Sequence, residues 1–317
     1  MCYSSQIQAE FRRFEREYGA SISIERFVEL FWHQRRTGGW QRIPRALRKA
    51  FAESADSNAA IVRDGDREQA NRFEAEIFQQ RSRLAEAERT LATRPTKKAE
   101  ADRRIATDKI ARAQQNLGDL QHSGLGDQDR RVFPGYYAPV IISQGGRRAV
   151  VPMRYQCRLP GWTEVDERKR PGTYNARRDN LERAWRALFG HRHGVMVITA
   201  FYEHVPRHKA ERRALLPGEA EESLILAFQP RPPQDMLVAC LWSVSPGGEG
   251  EQDLYSFAAI TDEPPPEVAA AGHDRCIIPI RPEHLDVWLN PEATDLAAMQ
   301  AILDDREPLY FDCKLAA

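Results

Sequence analysis

Apolar residues recur at helical spacing near the start of the chain. Within residues 5–18 they fall at i, i+4, i+7 and i+11, which predicts an amphipathic helix. A second helix is predicted from about Ser23, and the Gly38-Gly39 pair and Pro44 end it. Both predicted helices expose polar residues on one side, so we expect their apolar sides to pack on the rest of the protein.

A longer helical pattern occupies residues 66–121, where Arg, Glu, Ala and Gln dominate. Apolar residues recur there about every seven positions, and Arg94-Pro95-Thr96 interrupts the pattern near its middle. Two helices of about 25 residues joined at the proline would form an antiparallel coiled-coil hairpin roughly 35–40 Å long. Its thin, Ala-rich seam indicates a solvated arm inserted into a globular body. Binding of a protein partner by the hairpin stays an open alternative.

From Val132 onward the pattern changes to short β-branched and aromatic runs separated by Gly, Pro or charged turns. Six strands are predicted, at Tyr136–Ser143, Ala149–Met153, Gly194–Tyr202, Ser223–Phe228, Met236–Ser243 and Leu254–Thr261. Helices are predicted at Asp179–Phe189 and Pro282–Leu289. Because the strands mostly follow one another without βαβ alternation, the predicted class is α+β around a strongly curved sheet.

Composition narrows the classes of function. The 46 Lys and Arg residues balance 46 Asp and Glu residues, but most of the cations are Arg, which suits phosphate or carboxylate recognition. No apolar run of membrane-spanning length and no signal sequence is present, so we expect a cytoplasmic protein without a membrane segment. The absence of GxGxxG, Walker A and HExxH patterns predicts no cofactor.

Five scattered cysteines without CxxC spacing indicate a reduced chain with no zinc finger or other metal site. Cys157, Cys240 and Cys276 lie in apolar stretches and are predicted to be small core residues.

Cys2 is different because it follows the initiator Met1 directly. Cys is small enough for methionine aminopeptidase to remove Met1, which would leave an α-amine and a thiol on adjacent carbons. The amine has an ordinary pKa near ~8, so a useful fraction is neutral at pH 7. It can condense with an aldehyde to a Schiff base, and the thiol can then close a thiazolidine ring.

Three further stretches lie beside predicted strands: Tyr174-Asn175-Ala176-Arg177 before a helix, Phe201-Tyr202-Glu203-His204 at a strand end, and Gly272-His273-Asp274-Arg275 before a strand. Glu203 is expected to be half-buried. Pro139 and Trp162 are expected to form rigid apolar corners. Each also has an ordinary explanation, since strand-end Glu caps, local His–Asp pairs and Asn helix caps are common.

Taken together with Met1-Cys2, the ordered Asn-Ala-Arg, aromatic-aromatic-Glu and His-Asp-Arg stretches resemble the SRAP family of SOS-response-associated peptidases, or abasic-site processing proteins. The resemblance covers residues 1–30 and about 132–310 and skips the hairpin. It implies one SRAP-like domain over residues 1–317, a mainly antiparallel pseudo-barrel with flanking helices, with the hairpin at 66–121 inserted.

The resemblance also implies a function in DNA damage repair. Cys2 would form a covalent thiazolidine cross-link with the ring-opened aldehyde of an abasic site in single-stranded DNA, with AP-lyase and autopeptidase activity as associated reactions. Asn175 would hold the N-terminal residue or the sugar, Glu203 would move protons, and His273 would help to open the deoxyribose ring. Arg177 would grip a phosphate, and the remaining residues expected at the DNA interface are Pro139, Trp162 and Arg154.

The chain also departs from the family pattern. The usual start is Met-Cys-Gly-Arg, whereas this chain has Tyr3 and Ser4. Ser4 cannot make an Arg contact to phosphate, and Tyr3 does not adopt left-handed backbone conformations as cheaply as Gly. These differences concern DNA affinity and leave the nucleophile in place.

Two alternatives remain open at this level. The first is a cysteine peptidase or amidase that uses Cys2, His273 and Glu203, which would need backbone N–H donors for an oxyanion. The second is a non-enzymatic scaffold in which the hairpin recruits partners.

Overall fold

The computed structural model describes residues 4–54, 56–248 and 251–316. The helices are α1 (Phe11–Tyr18), α2 (Ile24–Thr37), α3 (Arg45–Ser54), α4 (Asp56–Thr93), α5 (Lys97–Gln121), α6 (Glu164–Lys169), α7 (Arg207–Ala210), α8 (Pro266–Ala270), α9 (Leu285–Leu289) and α10 (Leu296–Asp304). The strands are β1 (Ser4–Ile7), β2 (Ser21–Ile22), β3 (Arg131–Val132), β4 (Tyr137–Gln144), β5 (Arg147–Tyr155), β6 (Asn175–Arg177), β7 (His193–Pro206), β8 (Ser223–Arg231), β9 (Met236–Ser245), β10 (Leu254–Asp262), β11 (Cys276–Ile277), β12 (Pro279–Ile280) and β13 (Tyr310–Leu315). None of the helices in this part of the chain has the length and apolar character needed to span a bilayer.

The centre of the fold is a curved sheet that closes on itself. Strand β7 pairs with β4 on one edge and β9 on the other, and β9 connects through β10 and β5 back to β4. Every pairing in this ring is antiparallel except that of β10 with β5. The ring confirms the predicted α+β class with a strongly curved sheet, and all six predicted strands are present within a few residues of their predicted bounds.

The first strand was not predicted. Residues 4–7 form β1, which lies between β7 and β3, so the helix predicted for residues 5–18 begins only at Phe11. Ser4 lies opposite Tyr202 and Ser5 opposite Phe201. The backbone groups of this segment are satisfied by two neighbouring strands, and that long-range pairing overrides the local helical pattern.

The helices that follow pack on the barrel through aromatic side chains. Helix α2 ends at Gly38, as predicted, where a left-handed φ of 78° suits glycine. The ring of Phe51 on α3 lies 4.7 Å from that of Phe31 and 5.6 Å from that of Phe27, both on α2. Such tilted and stacked contacts add to the apolar area that each ring buries.

The predicted hairpin is present as the long pair α4–α5, joined at Arg94–Thr96. Its seam is lined by alanines, as predicted, and Ala87, Ala99 and Ala106 are buried there. Helix α4 begins at Asp56, ten residues earlier than predicted, and its 38 residues span roughly 57 Å at 1.5 Å per residue.

The base of the hairpin belongs to the protein core. The indole of Trp40 donates to Asp66 Oδ1 at 2.8 Å, and Asp66 also pairs with Arg48. Trp40 lies so close to Gly65 that an added Cβ would approach the ring to 2.3 Å, which only glycine permits. The body and the arm therefore meet near Asp66, the first residue of the segment predicted to be inserted.

We expect the distal arm, but not its base, to be dispensable for folding. Replacing residues 81–104 with a short Gly/Ser turn keeps the Lys109–Glu76 pair at 3.4 Å and should leave the free energy of unfolding of the body unchanged. Replacing residues 66–121 removes Asp66 from Arg48 and Trp40 and should cost at least about 2 kcal/mol. Urea unfolding followed by near-UV circular dichroism measures both. Equal stability of the two deletions would contradict this placement of the boundary.

Of the two helices predicted in the second half of the chain, one needs correction and the other is confirmed. Asp179–Phe189 is not a regular helix, since a 3-10 turn at Arg178–Asn180 is followed by successive turns. Pro282–Leu289 is helical, as a 3-10 turn at Pro282–His284 that continues into α9.

His193 lies in the core at the start of β7 and provides a pH test of the fold. Its Nε2 accepts the backbone N–H of Gly190 at 2.8 Å, and its Nδ1 faces the carbonyl oxygen of Trp288 at 3.1 Å. Burial lowers the pKa of His193 to about 3, whereas an unfolded His titrates near ~6.5. The unfolded chain therefore binds an extra proton between these values, and folding stability falls as the pH drops through this window.

We expect His193 to contribute up to about 1.4 kcal/mol of destabilisation per pH unit below pH ~6.5. Urea unfolding of wild type and His193→Gln at several pH values isolates this contribution as a difference in slope. The exposed His191 supplies the matched control, His191→Gln, which should keep the wild-type slope. A slope unchanged by His193→Gln would show that His193 is protonated in the folded protein.

Candidate active site

Glu203 is placed in the interior by the alternation of side chains along β7. Phe201, Glu203 and Val205 are all fully buried, while Tyr202 and His204 between them point to the opposite face. The expectation of a half-buried strand-end Glu is wrong, since β7 continues to Pro206 and the Glu203 side chain has no exposed area. A carboxyl group in such a place requires polar partners.

His273 supplies one such partner. Its Nε2 lies 3.2 Å from Glu203 Oε2, and the His273 side chain is 9% exposed. The preceding Gly272 has a φ of 98°, and a Cβ there would lie 2.8 Å from Lys209 Cβ and 3.0 Å from Val205 Cγ1. Glycine therefore lets this loop approach β7 closely enough to bring two residues 70 positions apart into contact.

The other ring nitrogen of His273 determines its tautomer. Nδ1 lies 2.8 Å from the carbonyl oxygen of Arg275, which can only accept, so Nδ1 carries a hydrogen. The N–H of Arg275 also faces Nδ1, but at the longer distance of 3.4 Å. In the neutral ring, Nε2 then presents its lone pair to Glu203. Burial lowers the pKa of His273 and favours this neutral form.

The Glu203–His273 contact is consequently suited to sharing one proton. A lone pair on Nε2 facing a carboxylate oxygen would be repulsive, whereas a proton between the two atoms makes the contact favourable. That proton lies either on the carboxyl group or on the imidazole. A buried pair of this kind can act as general acid in one step and as general base in the next.

Asn175 lies in β6 rather than at a helix N-terminus. It is opposite Ala259 of β10 and is 7% exposed. The hydroxyl of the fully buried Tyr155 donates to Asn175 Oδ1 at 3.1 Å, which sets the orientation of the amide. This bond makes Asn175 a fixed polar group on the sheet.

Strand β10 connects Asn175 to the His273 loop. Thr261 of β10 lies opposite Arg177 of β6 on one side and opposite Ile277 of β11 on the other. The Asn-Ala-Arg and His-Asp-Arg stretches therefore meet at the same end of the sheet. Hydrogen bonds with Asp179 raise the pKa of Arg177, and the charge of Asp274 adds to the effect.

The four residues expected at a DNA interface lie in different environments. Arg177 is exposed and pairs with Asp179 at 2.7 Å, while Trp162 is half-buried in a turn beneath the guanidinium of Arg170. The corner expected at Pro139 is wrong, because Pro139 is buried within β4 opposite Pro152.

Arg154 is the fourth of these residues and is held by an internal ion pair. It contacts Glu167, which is 3% exposed and also pairs with Arg158 at 3.0 Å. The Arg154 side chain is 15% exposed, and burial lowers its pKa. Its charge is thus already balanced within the protein.

Cys2 and Tyr3 lie outside the described residues. The described chain begins at Ser4, whose Oγ accepts from Arg131 Nε at 2.9 Å. Arg131 is 5% exposed, and its guanidinium lies 3.9 Å from the centre of the Tyr202 ring. Sequence reasoning missed Arg131, because nothing in the Arg130-Arg131-Val132 stretch indicates that it meets the first strand.

The cysteines placed in apolar stretches are core residues, as predicted. Cys157, Cys240 and Cys276 are buried. Burial raises the pKa of the Cys157 thiol to about 12 and raises that of Cys240 as well. A thiol is a good nucleophile only as the thiolate, so Cys157 and Cys240 are chemically inert at neutral pH.

A family model described as SOS response associated peptidase (SRAP) matches residues 93–313. The match contains Asn175, Glu203 and His273. It also takes in helix α5, which the sequence resemblance had skipped, and it does not include residues 1–92. No curated protein sequence matches the chain.

Three of the solved structures with partial similarity come from two bacteria. A Bordetella bronchiseptica protein is 17% identical with a TM-score of 0.47, covering 62% of this chain and 90% of its own. A Bacteroides thetaiotaomicron protein is 16% identical with a TM-score of 0.45, covering 59% and 78%. A phage-related protein from Bordetella bronchiseptica is 18% identical with a TM-score of 0.44, covering 62% of this chain and 85% of its own.

The family model covers residues 93–313, which is more than half of this chain. The chain therefore belongs to the SRAP family.

Proposed function

We propose that this protein captures abasic sites in single-stranded DNA through a thiazolidine formed by its N-terminal cysteine. The observation that carries the proposal is the buried contact between Glu203 Oε2 and His273 Nε2 at 3.2 Å. Glu203 follows Tyr202, the residue opposite Ser4, so the proton-sharing pair lies where the strand from the N-terminus begins.

Chain connectivity supports a role for Cys2 at this place. Two residues of extended chain span at most about 7 Å, so Cys2 remains within that distance of Ser4. Ser4 itself is held by β7 and by the side chain of Arg131, and the next residue, Ser5, pairs with β3. The start of the strand is thus fixed. A nucleophile on either of the two preceding residues can therefore occupy only a small volume around Ser4.

The reaction balances without a metal or a redox partner. The neutral α-amine of processed Cys2 attacks the aldehyde carbon, and the carbinolamine loses water to form an imine. The thiol sulfur then adds to the imine carbon, and the nitrogen takes up the thiol proton. Aldehyde and aminothiol are converted into one thiazolidine and one water.

The proton-sharing pair has a task at each stage. A proton on Glu203 can be delivered to the carbinolamine hydroxyl so that it leaves as water, and the carboxylate can then receive a proton from the amine or the thiol. His273 exchanges that proton through Nε2 and can deliver it to the ring oxygen when the deoxyribose opens. Asn175, oriented by Tyr155, would hold the sugar or the N-terminal residue.

A denaturing-gel assay with a single-stranded oligonucleotide tests the proposal directly. We expect a heat-resistant, slowly migrating species with an oligonucleotide that contains one abasic site, and none with the undamaged strand. Mass spectrometry should place the DNA on the peptide that begins with Cys2, with the loss of one water. Hydrolysis of peptides without any DNA adduct would instead favour a cysteine peptidase.

A further inference from the structure

A groove on the far side of β7 lies between the sheet and the base of the hairpin. Its volume is about 790 Å³, within the range of roughly 300–1,000 Å³ that is typical of small-molecule sites. Tyr202 lines it, whereas Glu203 next to Tyr202 faces the other side of the strand. The groove is therefore separate from the Glu203–His273 pair, although the two share a strand.

Side chains on four neighbouring strands form the floor of this groove. Gln6 lies opposite Ala200, Tyr202 opposite Ala227, and Ala227 opposite Lys314, so four strands present these residues on one face. Ala200 and Ala227 leave depth where larger residues would fill it. The opposite wall is helical and is contributed mainly by Trp40, Gln69, Phe73 and Asn116.

Two buried arginines line the groove and make it attractive to an anion. Arg131 is 5% exposed and lies between the rings of Tyr202 and Phe133, at 3.9 Å and 5.0 Å. Arg48 is 6% exposed, and its Nε has no hydrogen-bond partner among the described residues, although Asp66 contacts its guanidinium. A buried guanidinium with an unused N–H favours an anionic ligand.

The acidic residues of the groove are largely engaged in internal contacts. Asp129 accepts from Arg45 at 3.3 Å and from the backbone N–H of Gly126 at 2.8 Å, and it contacts His122 at 3.0 Å. Asp127 accepts from Gln6 Nε2 at 3.1 Å. Asp119 is exposed at the rim. Asp127 and Asp129 are therefore already occupied, and the unused Nε–H of Arg48 stays available to an anion in the buried part of the groove.

The remaining lining combines amides with aromatic rings. Amide groups can bond to the edges of a nucleobase, and aromatic faces can stack on it. The amides are Gln6, Gln41, Gln69, Asn116, Gln128 and Gln229. Together with the two buried arginines, this chemistry matches a base with an attached phosphate.

We propose that the groove between the hairpin base and β7 binds a nucleotide of the single-stranded DNA that flanks the reacting site. That the nucleotide belongs to single-stranded DNA rests on the proposed function. That the ligand is a nucleotide rests on the residues that line the groove. Arg131 connects the two sites, because it lines the groove and also donates to Ser4 at the start of the strand from Cys2. The base of the hairpin thereby becomes part of the DNA-binding surface.

Binding of an undamaged single-stranded oligonucleotide, measured by fluorescence anisotropy, tests the inference without any cross-linking chemistry. Ala227→Trp fills the floor and should weaken binding about ten-fold or more, the scale of losing one stacked base. Lys314→Glu reverses a charge at the exposed rim and should also weaken binding, with a smaller salt dependence. A mononucleotide competing at millimolar concentration would show that one base with its phosphate suffices.

Matched controls are Ala301→Trp on the exposed face of α10 and Lys109→Glu on the hairpin outside the groove, which should bind like wild type. Lys314→Glu changes only an exposed side chain and remains informative should Ala227→Trp fail to fold. If Ala227→Trp and Lys314→Glu both bind DNA with wild-type affinity, the groove is not a nucleotide site. The proposed cross-linking function is unaffected by that result. A wild-type protein that neither binds undamaged DNA nor cross-links abasic DNA would overturn both.

Discussion

A chain that keeps Met1, or carries a tag before Cys2, is expected to form no cross-link to abasic DNA. The extension converts the α-amine into an amide, which cannot form an imine, although the thiol is still present. Cys2→Ala is expected to behave differently, because it keeps the α-amine after Met1 is removed. Borohydride should therefore still trap a Schiff base with Cys2→Ala, while the heat-resistant adduct disappears because no thiazolidine can close.

The measurement is a denaturing gel with single-stranded abasic DNA, run with and without borohydride. The exposed Cys313 provides the matched control, since Cys313→Ala removes an accessible thiol elsewhere and should leave the adduct unchanged. A stable adduct formed by the extended, unprocessed protein would exclude the α-amine as nucleophile. The function would then have to be a reaction of the thiol alone.

Glu203→Gln is expected to slow cross-linking by roughly 10²-fold or more, the usual effect of removing general acid/base help. The substitution keeps the size and polarity of a fully buried side chain but removes its ability to exchange a proton with His273 Nε2. His273→Ala should be more harmful with a natural abasic site than with a pre-opened aldehyde, because its proposed task is opening the sugar ring. Single-turnover rates with both substrates measure the difference.

Glu222→Gln is the matched control, because Glu222 precedes β8, the partner strand of the Glu203 segment, but its side chain is 64% exposed. It should cross-link at the wild-type rate. Equal losses with both substrates for His273→Ala would show that His273 maintains the loop rather than opening the sugar. If Glu203→Gln cross-links at the wild-type rate and has wild-type thermal stability, the Glu203–His273 pair does not transfer the proton.

Local pattern was enough to predict much of the secondary structure. The six predicted strands and the helix that ends at Gly38 follow from side-chain period and from turn residues, which act over a few positions. The hairpin was predictable for the same reason, since its Ala-rich seam is a repeat along the chain. The contacts at its base were not predictable, because Asp66 meets Trp40 and Arg48 from separate segments of the chain.

The candidate site, like the fold, was predictable from the sequence only in part. Residue types and their order identified Glu203, His273 and Asn175 as chemically interesting. Only the closed sheet and the approach of Gly272 to β7 put His273 Nε2 3.2 Å from a fully buried Glu203 carboxyl group. The pairing of β1 with β7, and the contact of Arg131 with Ser4, likewise depend on backbone and side-chain partners supplied from more than 120 positions away. Periodicity records which side of an element is buried, whereas these contacts depend on which elements meet, and that is decided by long-range pairing of the backbone.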